Sequence, residues 1–377
     1  MSIANKITAE LKGDRAIWMV IALLCFSSIL AVYSATGTLA WKSKNGDTTL
    51  YLITHIVRLA FGLSLVYICH LLHYQRYNKM VPFLLLAVIG LLIFTLLFGV
   101  RLNEASRWIS IGGISFQPSE LAKIVLVMYV ARELTRKQEI ITSWKDAFVP
   151  IILPVLMVCG LIAPANLSTS MVLFVTCIAL MFIGRVRPRF IFLLALLGVV
   201  LFAGLIVVGE FFPSLVRVDT WMSRVSDYVY NADGGYQVQQ AKIAIANGGW
   251  VGVGPGNSIS RNFLPYVYAD FIYPLICEEY GFIGGLFILS LYVILFFRTV
   301  AMVTRSPKAF GAFLAIGLSL SLVIQAMANI AVSVHLVPAT GLTLPMISMG
   351  GTSIIFTSVA LGIILSVSKY IETYDGQ

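Results

Sequence analysis

The feature that most constrains this chain is a succession of apolar stretches, most of them about as long as a bilayer is thick and the fourth and fifth short. A membrane-spanning helix needs about 20 predominantly apolar residues, with a range of about 17–25. Ten candidates occur in the 377 residues, at roughly 16–34, 51–72, 80–100, 118–131, 148–164, 167–184, 190–209, 271–297, 309–335 and 352–369. With 59% hydrophobic and only 11% charged residues, too little polar surface remains for a soluble globule. The expectation is an all-α polytopic membrane protein of ten transmembrane helices. It forms a single domain over 1–377, with one large extracytoplasmic loop, about 210–269, between helices 7 and 8.

Orientation follows from Lys and Arg in the loops. With the N-terminus inside, 16 of the 26 cations fall in inner segments, so both termini are expected in the cytoplasm. The net charge of +9 is then mostly this bias and not a nucleic-acid footprint. Cys25, Cys69, Cys159, Cys177 and Cys277 lie in apolar spans with no CxxC pair and read as packing residues. The four histidines show no ligand spacing. The N-terminus lacks a small-residue cleavage site, so the first apolar span reads as a retained anchor. Residues 132–146 read as a charged interfacial segment, with Trp144 suited to the headgroups.

Polar groups at membrane depth are costly and are functional candidates by default. Asp270 stands where the long loop re-enters an apolar span and is a catalytic candidate, able to serve as a general base, a metal ligand or the partner of a buried cation. Glu278 and Glu279 follow within that span and read as structural or proton-linked. Arg107 and Lys123 flank the entry to the fourth span, where they are candidates for binding phosphate. Glu120 sits in the first turn after Pro118, where it fits a capped helix with a Glu120–Lys123 pair at i,i+3. Within the long loop, Arg217, Arg224, Lys242 and Arg261 suit an anion, and Gln237, Gln239 and Gln240 suit sugar hydroxyls; a solvated loop is the alternative. Tyr236–Ala246 can form an amphipathic helix. The glycine run 248–256 cannot be regular helix and reads as a re-entrant, substrate-facing element. Asn329 and residues 338–353 form a broken entry into the last span, either a close-packed bend or a ligand contact.

Four blocks together resemble the SEDS (shape, elongation, division and sporulation) family of peptidoglycan glycosyltransferases. They are Arg107-Trp108-Ile109 with Phe116-Gln117-Pro118-Ser119-Glu120-Leu121-Ala122-Lys123, Gly235-Tyr236-Gln237, Asp270-Phe271-Ile272 with Glu278-Glu279-Tyr280-Gly281, and Thr340-Gly341-Leu342-Thr343-Leu344-Pro345. The resemblance covers nearly the whole chain, and the last run is closer to division than to elongation members. It departs at Tyr266-Val267-Tyr268-Ala269, which stands where the family has polar neighbours of the acid. It departs again at Pro164-Ala165-Asn166-Leu167, which lacks a family acid.

The resemblance implies an inverting polymerase of lipid II at the outer face of the bacterial inner membrane, serving cell division. The family acid carries over onto Asp270, which would act as base, and the family cations onto Arg107, Lys123 and Arg217 and, across a gap, Arg261; Gln237 and Lys242 join them as substrate contacts from the reading of the loop. It implies lipid II and undecaprenyl-pyrophosphate-linked glycan as ligands, a class B penicillin-binding protein (a transpeptidase) as partner, and other divisome proteins. Glu210, at the end of the seventh span, resembles an acid of the family and is assigned to the partner interface. No cofactor is certain; a divalent cation, Mg or Mn, is the candidate, and no metal ligand is assigned. A lipid-linked precursor flippase and a non-catalytic divisome scaffold are the alternatives.

Overall fold

Helices begin and end here where capping groups and proline direct them. The structure is a computed structural model that describes residues 12–37, 48–102, 105–111, 114–138, 144, 148–212, 216–231, 233–306 and 308–375. Helix α1 (Arg15–Ala35) starts at Asp14, whose carboxylate accepts from the amides of Ala16 and Ile17. α2 (Thr49–Leu71), α3 (Tyr74–Phe98), α4 (Pro118–Arg136), α5 (Val149–Ile162), α6 (Leu167–Ile183) and α7 (Pro188–Phe211) follow. Proline opens α4 and α7, where its missing amide costs no helical bond. Asn166 caps α6 through the amide of Thr169 at 3.3 Å.

The connection from α7 to α10 (Ile272–Val303) contains α8 (Val218–Tyr230), α9 (Tyr236–Gly248) and a 3₁₀ turn at Ser260–Asn262. α11 (Ala309–Ser333) and α12 (Gly351–Asp375) complete the chain. Seven helices, α1, α2, α3, α7, α10, α11 and α12, are long and apolar enough to cross a membrane. α5 and α6 are apolar but shorter, at 14 and 17 residues. α4 carries Glu120, Lys123, Arg132, Glu133 and Arg136. These ten helices fall on the ten apolar stretches of the sequence. Of the expected interfacial segment 132–146, residues 132–136 are the end of α4, while 139–143, 145 and 146 lie outside the described residues; Trp144 packs 4.8 Å from Phe148 and 5.4 Å from Phe190, ring centre to ring centre.

One element corrects the all-α expectation. β1 (Val100–Leu102), β2 (Ala105–Ile111) and β3 (Ile114–Phe116) form a small antiparallel meander, with Ile109 opposite Phe116 and Val100 opposite Trp108. Its strands are of three to seven residues, and within β2 only Ile109-Ser110-Ile111 alternates, with Ile109 buried and Ser110 exposed.

α4 and α11 lie against each other inside the bundle, with Lys123, Val127, Gly317 and Gln325 at their contact. α2 and α12 approach closely through small residues. A Cβ at Gly62 would stand 2.5 Å from the Ser358 hydroxyl, and one at Gly362 would stand 2.6 Å from the Val66 carbonyl. α7 is peripheral, burying only Phe190, Leu194 and Gly209. The five cysteines are buried and unbridged, as packing residues should be.

Two stretches of backbone are not helical although helices surround them. α10 breaks at Gly281 (φ 69°, ψ −168°). The glycine run docks on that break. Val253 and Gly254 donate to the carbonyls of Glu278 and Glu279 at 2.9 and 3.0 Å, and Phe282 donates to Gly249 at 2.8 Å. Gly252 (φ 91°) has room for no Cβ, which would lie 2.2 Å from the Glu279 carbonyl. The backbone of the glycine run is irregular, as expected, and it is used to satisfy a broken helix.

The second stretch is the strap Leu342–Met349 between α11 and α12. Side chains from several helices tie its carbonyls. Asn329 donates to Leu342 at 2.6 Å, Gln325 to Thr343 at 2.8 Å and Tyr292 to Pro345 at 2.5 Å. Ser28, itself bonded to His55 at 2.8 Å, donates to Ile347 at 2.8 Å.

Candidate functional site

The strap carries the segment that presents Asp270. The Ser348 hydroxyl donates to the Ala269 carbonyl at 2.6 Å, the Met349 amide to Tyr268 at 2.8 Å, and the Asn329 amide group to the Asp270 carbonyl at 2.8 Å. Asp270 is thereby fixed through its backbone while its carboxylate stays clear. Among the described residues that carboxylate makes no hydrogen bond and no direct ion pair. Gly341 faces it, and a Cβ there would stand 3.6 Å from the nearer oxygen.

The surroundings are cationic. Arg107 projects from β2 and donates through Nε to the carbonyl of Ala165, at the turn between α5 and α6, at 2.5 Å. The backbone oxygen of Ala165 thus serves Arg107 in a turn whose sequence, Pro164-Ala165-Asn166, carries no acid. Burial pushes the Asp270 carboxyl up from 3.8 to about 6, and the positive charges of Arg224 and then Arg107 oppose that rise. Burial, together with repulsion from Arg217 and Arg224, brings Arg107 down to about 10. Arg224, on α8, is lowered for the same reasons. The Arg217 Nε is buried without a hydrogen-bond partner among the described residues. Three guanidinium groups and one half-buried acid therefore share one electrostatic neighbourhood.

The structure brings Asp270, Arg107 and Arg217 together and adds Arg224, which the sequence placed only among the loop cations. The signal available for Arg224 was its helical position, seven residues after Arg217. Lys123 stands apart from this group. Its Nζ pairs with Glu120 at 3.0 Å and donates to Gln325 at 2.6 Å, forming the expected i,i+3 pair. Lys242, on α9, lies 3.6 Å from Asp233. Gln237 is half-buried on the same helix. Arg261 stands beside Gly37, at the end of α1, and near Glu279.

Glu278 accepts from the Ser258 and Ser260 hydroxyls and from the Ser260 amide. Glu279 accepts from the Ser34 hydroxyl on α1 and from the backbone amides of Gly256 and Ser258. Both acids thus face the loop that precedes Asp270 and not its carboxylate. Glu210 is exposed near the end of α7. In the fourth block Ser348 and Asn329 bind backbone carbonyls, Thr343 pairs with Ser353 at 3.1 Å, and the Thr352 hydroxyl is buried without a partner among the described residues. No group of three or more His, Cys, Asp or Glu gathers among the described residues. A single carboxylate in the field of the Arg224 and Arg107 guanidinium groups, with Arg217 beside both, fits a resident divalent cation poorly; this donor set suits an anion.

An α-helical membrane fold with an acid beneath an arginine cluster, carried on an unwound strap, is the class that geometry defines. A family model described as "Cell cycle protein", spanning FtsW, RodA and SpoVE, matches residues 14–373. The chain is 34% identical over 342 residues to "Probable peptidoglycan glycosyltransferase FtsW" of Nitrosococcus halophilus (strain Nc4), covering 89% of this chain and 87% of that protein. It is 30% identical over 369 residues to "Stage V sporulation protein E" of Bacillus subtilis (strain 168), covering 96% and 99%. A solved chain from a peptidoglycan synthase complex that coordinates polymerization and crosslinking superposes with a TM-score of 0.71. That chain is 27% identical, and the match covers 95% of this chain and 98% of that one. The chain belongs to the FtsW/RodA/SpoVE family.

Proposed function

We propose that this chain is a peptidoglycan glycosyltransferase that polymerises lipid II during cell division. The observation that carries the reading is Asp270, unpaired at its carboxylate, backbone-fixed and held near pH 6 within the field of Arg224 and Arg107. An acid poised near neutrality suits a general base.

The acceptor's 4-hydroxyl attacks the anomeric carbon of the donor glycan. The new C–O bond forms as the bond to pyrophosphate breaks, and undecaprenyl pyrophosphate leaves with the electron pair. The α link becomes a β-1,4 link by inversion, and the hydroxyl proton passes to Asp270. Such a base contributes roughly 10²–10⁴-fold. Arg107, Arg217 and Arg224 neutralise the leaving group, where charge-assisted donors in a water-poor site act most strongly. Arg261, Lys242 and Gln237 line the approach from the loop.

The arrangement in the membrane belongs to the same proposal. One domain of ten spans places both termini in the cytoplasm and the loop between the seventh and eighth spans outside. The substrate is extracytoplasmic, in the bacterial inner membrane. A class B penicillin-binding protein is the partner, with Glu210 at its interface and other divisome proteins beyond it. The likeness to a chain of a synthase complex supports the partner.

The test is glycan formation from labelled lipid II by the purified chain with its transpeptidase partner, beside lipid II transport into liposomes. Polymer without partner-independent transport is expected. Transport without polymer would make the chain a flippase. Neither activity, with transpeptidase recruitment intact, would make it a scaffold.

A further inference from the structure

Gln325 lies on α11, deep between α4 and the strap, and is 3% exposed. Its two ends do different work. The carbonyl oxygen accepts from Lys123 Nζ at 2.6 Å, and the amide nitrogen donates to the Thr343 carbonyl at 2.8 Å. Behind Lys123 stands Glu120, 3.0 Å away and equally buried, so the lysine charge is already matched. An amide with both ends engaged cannot flip without breaking two bonds, and the ion pair behind it sets which end faces the strap. One turn further along the same helix, Asn329 holds the next carbonyl of the strap, that of Leu342, together with the Asp270 carbonyl.

We propose that Gln325 is a positioning residue: its amide, oriented by the Lys123–Glu120 pair, fixes the Thr343 carbonyl and so the strap on which the Asp270 segment rests. Lys123 then acts through Gln325 and not on phosphate. The inference rests on the polymerase reading above. It accounts for a buried ion pair in a membrane helix, which is otherwise a costly feature.

The experiment measures initial rates of lipid II polymerisation against lipid II concentration. Wild type, Gln325→Leu, Gln325→Glu, Lys123→Met and the double variant Lys123→Met/Gln325→Leu are compared with the transpeptidase partner present. Gln325→Leu is expected to lower kcat on the order of tenfold to a hundredfold while KM stays within about threefold, as for a misplaced reacting group. Gln325→Glu keeps the partner of Lys123 but loses the donor to Thr343, so it falls alike; it carries the test if the leucine variant does not fold. The double variant falls no further than Gln325→Leu alone, because the two residues act as one tie.

Wild-type kcat in both Gln325 variants would overturn the proposal. So would a more than tenfold rise in KM for Lys123→Met with Gln325→Leu unaffected, which would return Lys123 to substrate binding. A wild type that makes no polymer overturns the polymerase reading, and this inference with it. Wild-type polymer with unaffected Gln325 variants overturns the inference alone.

Discussion

Asn329 on α11 donates from Nδ2 to the backbone carbonyl of Asp270 at 2.8 Å, and the same nitrogen reaches the Leu342 carbonyl at 2.6 Å. One side chain therefore clamps the acid-bearing segment to the strap. Asn329→Leu removes both donors and leaves two carbonyls without their partner. The expected cost is about 1–3 kcal/mol, read as a lowered thermal midpoint in detergent, with slower glycan formation by the folded fraction. An unchanged midpoint would mean that the clamp is not needed to hold the segment.

Asp270 must be ionised to accept a proton, so kcat/KM should rise through about pH 6 and level off above it. Arg224 holds the acid down against burial. Arg224→Leu should therefore move the acid limb to higher pH as well as weaken lipid II binding; a limb that moves down would contradict the assigned field. The stability linkage has its own sign. Between 3.8 and about 6 the folded acid keeps a proton that the unfolded chain has lost, so its contribution to stability falls as pH rises through that window.

Gly281 adopts a conformation that side chains disfavour, and a Cβ there would stand 2.4 Å from the Trp250 carbonyl. Gly281→Ala should force apart the glycine run and the helix break it satisfies. We expect a loss of roughly 3 kcal/mol or more, visible in thermal unfolding. A stable Gly281→Ala protein would show that the break is adaptable.

Glu278 gathers the Ser258 and Ser260 hydroxyls and the Ser260 amide in a fully buried position. Glu278→Ala would leave these donors without their acceptor, at about 2–3 kcal/mol. Glu278→Gln, which retains an acceptor oxygen, should recover part of that stability. Full stability but no activity in both variants would point to proton transfer instead.

Seven helices were legible because apolar stretches of spanning length leave a strong signal, the shorter α5 and α6 by their apolar runs, and α4 by the proline that opens it. The helix expected over 236–246 forms and runs to Gly248, burying Val238 and Ala241. The meander at 100–116 was not legible as structure, since its strands are of three to seven residues. Asp270 stood out as a lone acid at a helix mouth. The gathering of Arg107, Arg217 and Arg224 around it depends on contacts between distant segments, which spacing cannot reveal. For the same reason Lys123 showed only its i,i+3 partner Glu120: its second partner, Gln325, lies 202 residues away. The strap's role was hidden because its bonds are made by backbone carbonyls, which every residue carries.

The most direct test of the central claim is the rate of glycan formation from labelled lipid II at neutral pH by wild type and Asp270→Asn, matched for thermal midpoint. The asparagine keeps the backbone bonds to Asn329 and Tyr266 but cannot take the proton. The account predicts a fall of roughly 10²–10⁴-fold in kcat with KM little changed. Equal rates from two folded proteins would contradict it and place proton acceptance elsewhere.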